Sequence, residues 1–246
     1  MSRPAFYALT PGGARDYWTL LHPPYTLWHL SFVALGACVA DTLQPRYLVM
    51  ALVAFFLAVG VAAHALDELH GRPLRTDIPR GVLIALAAVG LLGALVIGIY
   101  GSSLVSWWGL AFIAIGGFLV PAYNLEWFGG RFHTDLAFAV MWGGFPALAG
   151  GFSQTGWIDV PVLFVAVGCG YVAAAQRRLS TPVRRLRRHA TGVEGSVTYD
   201  DDTEERIDAA AMTAAPEGAL RLLWVAMVAL AVGLTIARWP ASPSGP

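Results

Sequence analysis

Of 246 residues, 57% are hydrophobic and 13% charged, and the mean hydropathy is +0.59. This balance excludes an average soluble domain and predicts an all-α, polytopic transmembrane helical bundle. Formal net charge is zero, so no basic surface for nucleic acid is expected.

Residues 1–24 read as a cytoplasmic lead-in. Arg3, Arg15, Asp16 and several prolines replace the apolar region of a cleavable signal peptide. Tyr17, Trp18 and the His22-Pro23-Pro24 turn read as an interfacial anchor. Residues 25–240 form a single transmembrane domain with about seven spans, over residues 25–40, 47–66, 81–100, 104–120, 136–152, 160–175 and 220–237. With that count, 14 of the 16 arginines fall on one side and only Arg46 and Arg238 on the other. The positive-inside rule then places the N-terminus in the cytoplasm and the C-terminus outside, in a multi-pass protein of the cell membrane.

Glycines 90, 93, 98, 101, 116 and 117 punctuate the third and fourth spans and suit close helix approach. Cys38 and Cys169 lie within spans and read as small packing residues. Residues 176–218 form a polar cytoplasmic loop, basic from Arg177 to Arg188 and acidic from Asp200 to Glu205. The basic half suits either a topology signal or anionic headgroups. Residues 241–246 read as a disordered tail.

The second span ends in VAAHALDELHGRPLRTDIPR, residues 61–80. His64, Asp67 and Glu68 stand at i, i+3 and i+4 and so share a helical face. Ionisable groups at that depth are costly in a membrane and mark a candidate site. A second polar loop, Val120 to Asp135, lies on the same side and carries Tyr123, Asn124, Arg131 and His133. Carboxylates and imidazoles at this helix end suit a divalent ion. Arg72, Arg75 and Arg131 suit phosphate oxygens, and a hydrocarbon tail would lie between the helices.

On these residues the chain resembles the UbiA superfamily of intramembrane prenyltransferases. Leu21-His22-Pro23-Pro24-Tyr25 with Gly36 and Ala40 is similar to the family's first helix. Arg72-Pro73-Leu74, Asp77-Ile78-Pro79, Tyr123 and Gly143-Gly144-Phe145-Pro146 fall where family features stand. In the first acidic motif, N-D-x-x-D-x-x-x-D, Glu68 takes the second Asp, whereas His64, Ala65 and Arg72 occupy the other places. No acid follows the sixth span, where Arg177 and Arg178 stand, and the chain has no lysine for the Y-x-x-x-K motif.

The resemblance implies a prenyl or polyprenyl diphosphate, or another isoprenoid lipid, as partner, and a lipophilic acceptor. Asp67, Glu68, Asp77, Tyr123 and Asp135 would be catalytic, with Mg2+ held by Asp67 and Glu68. His64, Arg72, Arg75, Asn124, Arg131, Arg177 and Arg178 would bind substrate. An alternative of the same fold is a non-catalytic isoprenoid-binding or partner-binding protein. A further one is a metal- or haem-binding membrane protein using His29, His64, His70 and His133. A retinal-type receptor is excluded, because a Schiff base needs a lysine.

Overall fold

The computed structural model describes residues 3–240. Its helices are α1 (Ala14–Leu20), α2 (Pro23–Val39), α3 (Pro45–Leu69), α4 (Arg80–Leu104), α5 (Gly109–Asn124), α6 (Asp135–Thr155), α7 (Val160–His189) and α8 (Ala209–Arg238). Starts are written into the sequence. Prolines at the first turns of α2, α3 and α7 lack an N–H that no helix would use. Thr134, Asp159 and Asp208 accept hydrogen bonds from Ala137, Val162 and Ala211 as N-caps of α6, α7 and α8.

Helices α3, α4, α6, α7 and α8 are long and apolar enough to cross a membrane, so the chain is a multi-pass membrane protein. The expected segments at 25–40 and 104–120 fall on the shorter helices α2 and α5, of 17 and 16 residues. The expected fourth segment began at Leu104, but that residue ends α4, and α5 starts only at Gly109.

The polar stretch 176–218 is not one loop. Its basic half continues α7 to His189, and a small antiparallel hairpin, β1 (Gly195–Thr198) with β2 (Glu204–Ile207), precedes α8. Arginine is a good helix former, so the apolar span propagates through it without a break. The expected tail at 241–246 lies outside the described residues.

Helix α2 is buried nearly all round, with Trp28 and Phe32 fully enclosed. It crosses α6 at van der Waals distance of the backbones. A Cβ at Gly36 would stand 1.9 Å from the Ala147 carbonyl oxygen, and one at Gly150 2.0 Å from that of Val33. One core layer joins α2 to α6, α7 and α8. A second joins α3, α4, α5 and α6 through Val59, Leu83, Val120, Met141 and Trp142. Large side chains left outside, such as Val89 and Val96 on α4 and Phe164 and Tyr171 on α7, form the lipid-facing surface.

Two helices change pitch. Phe56–Ala63 within α3 and Ala139–Gly144 within α6 are π-helical. Such widenings leave a carbonyl off the regular ladder and recur at functional sites. Here the Trp142 carbonyl accepts from His29 Nδ1 at 2.7 Å.

Candidate functional site

Between α3, α4, α5 and α6 lies an apolar cleft of about 190 Å³. Its walls include Met50, Phe55, Leu95, Phe112 and Phe145, with glycines 98, 101, 116 and 117 leaving room along α4 and α5. The two π segments meet it, through Val59 from α3 and through Met141 and Trp142 from α6. The indole Nε1 of Trp142 is buried with no acceptor among the described residues. A buried N–H without an acceptor is rare and costly.

At this inner end the cleft gives way to polar groups. Trp142 packs edge-on against Tyr123, with ring centroids 5.4 Å apart. The Tyr123 hydroxyl accepts from Arg177 Nη1 at 2.6 Å, and Arg177 Nε donates to Asp135. The guanidinium also lies 5.3 Å from the Phe138 ring centroid, a cation–π distance. His133 stacks on Tyr123 at 4.5 Å. Three residues expected on sequence grounds, Tyr123, Asp135 and Arg177, are thus brought into one chain of contacts from separate helices.

A second polar group lies at the end of α3. His64 stacks face to face on His22, centroids 4.0 Å apart, and donates from Nδ1 to the Gly60 carbonyl at 3.1 Å. His22 Nδ1 is hydrogen-bonded to the Tyr7 hydroxyl at 2.9 Å. Burial first, then His64, Arg188 and Arg184, push the His22 imidazole well below its ordinary 6.5. Burial likewise raises the Tyr7 phenol well above 10.0. Asp67 is half-buried beside this group and its carboxylate has no hydrogen-bond partner among the described residues; Arg188 and Arg184 act on it through space.

Other expected site residues are committed elsewhere. Glu68 is fully buried, but its Oε2 accepts from Leu74 N at 3.0 Å and its Oε1 from Thr76 N at 2.9 Å and Thr76 Oγ1 at 2.8 Å. It anchors the α3–α4 loop. Arg72 turns back on that loop, donating to the Thr76 and Ile78 carbonyls at 2.9 and 2.7 Å. Asp77 is exposed; its backbone N–H, not its carboxylate, is engaged, by Asp16 at 3.1 Å. Arg75, Arg131 and Arg178 are exposed on the surface. Asn124 is buried and donates to its own helix at the Val120 carbonyl, 2.7 Å away.

Asp67 and Glu68 do not fit a shared Mg2+, because the oxygens of Glu68 already accept three hydrogen bonds. Among the described residues no group of three or more His, Cys, Asp or Glu converges to hold a metal. The four histidines of the metal- or haem-binding alternative are dispersed as well. His29 and His64 donate to backbone carbonyls, and His70 and His133 flank Glu126 at 3.9 and 3.8 Å.

Sequence reasoning missed Tyr7, His22, Trp142, Arg184 and Arg188 as members of these groups. Only the basic run carried a signal, since Arg184 and Arg188 stand one turn apart. Comparisons with family models, with curated proteins and with solved structures found no match for this chain.

Proposed function

We propose that this protein binds an amphiphile with an isoprenoid tail and an anionic head, a prenyl diphosphate or a related lipid, within the membrane. The observation that carries the reading is that Trp142, on the wall of the apolar cleft, packs on Tyr123, whose hydroxyl accepts from Arg177. The tail lies between α3, α4, α5 and α6. The head reaches Tyr123 and Arg177, whose Nη2 has no partner among the described residues. The unmatched Trp142 N–H supplies a donor at the junction. Apolar walls with a few placed polar groups are the usual build of a lipid or cofactor site.

The sequence resemblance to the UbiA superfamily supports the same substrate class. The protein keeps the lipid cavity of that plan while Glu68 and Arg72 serve the α3–α4 loop, which favours a binding role without the family's paired metal ions. Prenyl transfer is the second reading, favoured by Asp67, a carboxylate left without a hydrogen-bond partner near the site. In the proposed setting all seven apolar helices cross the cell membrane, with the N-terminus cytoplasmic and the C-terminus outside, a reading that the arginine distribution supports.

The test is binding of geranylgeranyl diphosphate to detergent-solubilised protein, with and without magnesium, followed by analysis for released diphosphate. Binding that needs no magnesium and weakens at least tenfold when Gly117→Phe fills the cleft is expected. Turnover would establish the transferase reading. Absence of binding under both conditions overturns the proposal.

A further inference from the structure

A second recess, walled mostly by apolar atoms, lies away from the apolar cleft, between the N-terminal segment and helices α2, α7 and α8. It is lined by Tyr7, Tyr25, Ser180, Arg184, Arg188 and Glu217, among others. Its free volume is about 20 Å³, room for about one atom of water size. That admits the edge of an oxyanion and excludes a whole diphosphate.

The charges around it do not cancel. Arg184 and Arg188 are one helical turn apart, where like charges repel, and neither has a carboxylate within ion-pair distance among the described residues. Glu217, the acid on the recess wall, is held by Arg187, whose Nη2 donates to Oε2 at 2.8 Å. Glu68 is taken up by the α3–α4 loop, and Asp67, outside the recess lining, acts on both guanidiniums only through space, one carboxylate against two cations. Among the described residues, Arg188 Nε is buried with no partner and the Tyr25 hydroxyl makes no hydrogen bond. Two part-buried guanidiniums thus face a recess whose lining holds the unengaged Tyr25 hydroxyl and no free acid. Removing two such cations from water against one shared carboxylate that bonds neither is costly, and an oxyanion supplies the missing acceptor.

We infer that this recess is a binding site for one phosphate-type anion, gripped by Arg184 and Arg188 with the Tyr7 and Tyr25 hydroxyls beside them. A lipid headgroup and a free phosphate share that chemistry. The site differs from the amphiphile cleft in every side chain that lines it, although α7 carries both Arg177 and the Arg184–Arg188 pair.

The full-length protein, delipidated in detergent, is titrated calorimetrically with inorganic phosphate. In parallel it is reconstituted in phosphatidylcholine vesicles with and without phosphatidate, and the lipid retained on re-extraction is identified by mass spectrometry. Arg184→Ala with Arg188→Ala should lower anion affinity at least tenfold, as loss of charged hydrogen bonds implies. Arg185→Ala with Arg206→Ala removes the same charge from exposed positions and should leave it unchanged. Tyr25→Phe, which deletes one hydroxyl and keeps the packing, should weaken it about fivefold. Retention of phosphatidate lost in the double variant assigns the site to a lipid headgroup, and phosphate binding by delipidated protein assigns it to a soluble anion. Equal binding by wild type and the Arg184/Arg188 variant, or binding of neither probe, overturns the inference.

Discussion

Glu68 shows how one buried carboxylate acquires a structural role. It is fully enclosed and accepts from two backbone N–H groups and one hydroxyl of the α3–α4 loop. Glu68→Gln would turn an amide NH2 toward those donors, and a loss of about 2 to 3 kcal/mol is expected because hydrogen bonds to a charged group are broken. Thermal unfolding in detergent checks this, and an unchanged midpoint would refute the anchoring role. His22 gives a pH dependence of definite sign. Its folded-state value lies well below its ordinary 6.5, so above that pH both states are neutral. As pH falls through 6.5 the unfolded chain takes up a proton that the folded chain refuses. Stability should therefore fall by up to about 1.4 kcal/mol per pH unit below that point. His22→Asn tolerates the left-handed backbone at φ 46 and should remove this share of the acid sensitivity, as melts at pH 7.5 and 5.5 would show.

At the scale of elements, the α2–α6 crossing is set by backbone contact. The space at Gly36 and Gly150 is already filled by the carbonyls of Ala147 and Val33. Gly150→Ala must push the helices apart, and a loss of at least about 1 to 3 kcal/mol is expected from overpacking. Gly168→Ala, whose Cβ would meet nothing within 4 Å, is the matched control in the same melting experiment. Equal effects of the two would show that the crossing relaxes freely. The π-helical turns are the other element-level feature. They bring Val59, Met141 and Trp142 to the inner end of the cleft, and straightening either would rotate its lining out of place.

For the whole molecule, the polar ends of α3, α5 and α7 gather at one end of the bundle with the N-terminal segment. Asp16 holds the backbone of Asp77, and Arg177 reaches Asp135 and Tyr123. At the opposite end Arg46 meets Tyr100, and Arg238 donates to the Ala40 and Asp41 carbonyls. The proposed orientation puts the first end in the cytoplasm. Both native cysteines are buried, so single cysteines introduced at Ser196 and Thr42 report cleanly to an impermeant maleimide on intact cells. Labelling at position 42 and not at 196 is expected; the reverse pattern would invert the topology.

Much of this architecture was legible locally. Apolar runs of 16 or more residues act through the residues next to them, so the apolar parts of α2 to α8 could be placed from the chain, whereas the polar extension of α7 to His189 and the start of α8 at Ala209 could not. Tyr123, Asp135 and Arg177 were legible as candidates because polar groups at the ends of apolar helices are few. Their joining was not, since hydrogen bonds across 42 and 54 residues of sequence depend on which helix ends the packing brings together. Sequence by itself determined that this is a multi-pass helical protein with its charge gathered in a few polar segments. Tertiary structure decided that Glu68 and Arg72 close a loop, that Trp142 and Tyr123 join the cleft to its polar end, and that Arg184 and Arg188 face a recess. The physical reason is that burial and partnership of a charged side chain are properties of its neighbours in space, and spacing along one helix fixes only the face from which it starts.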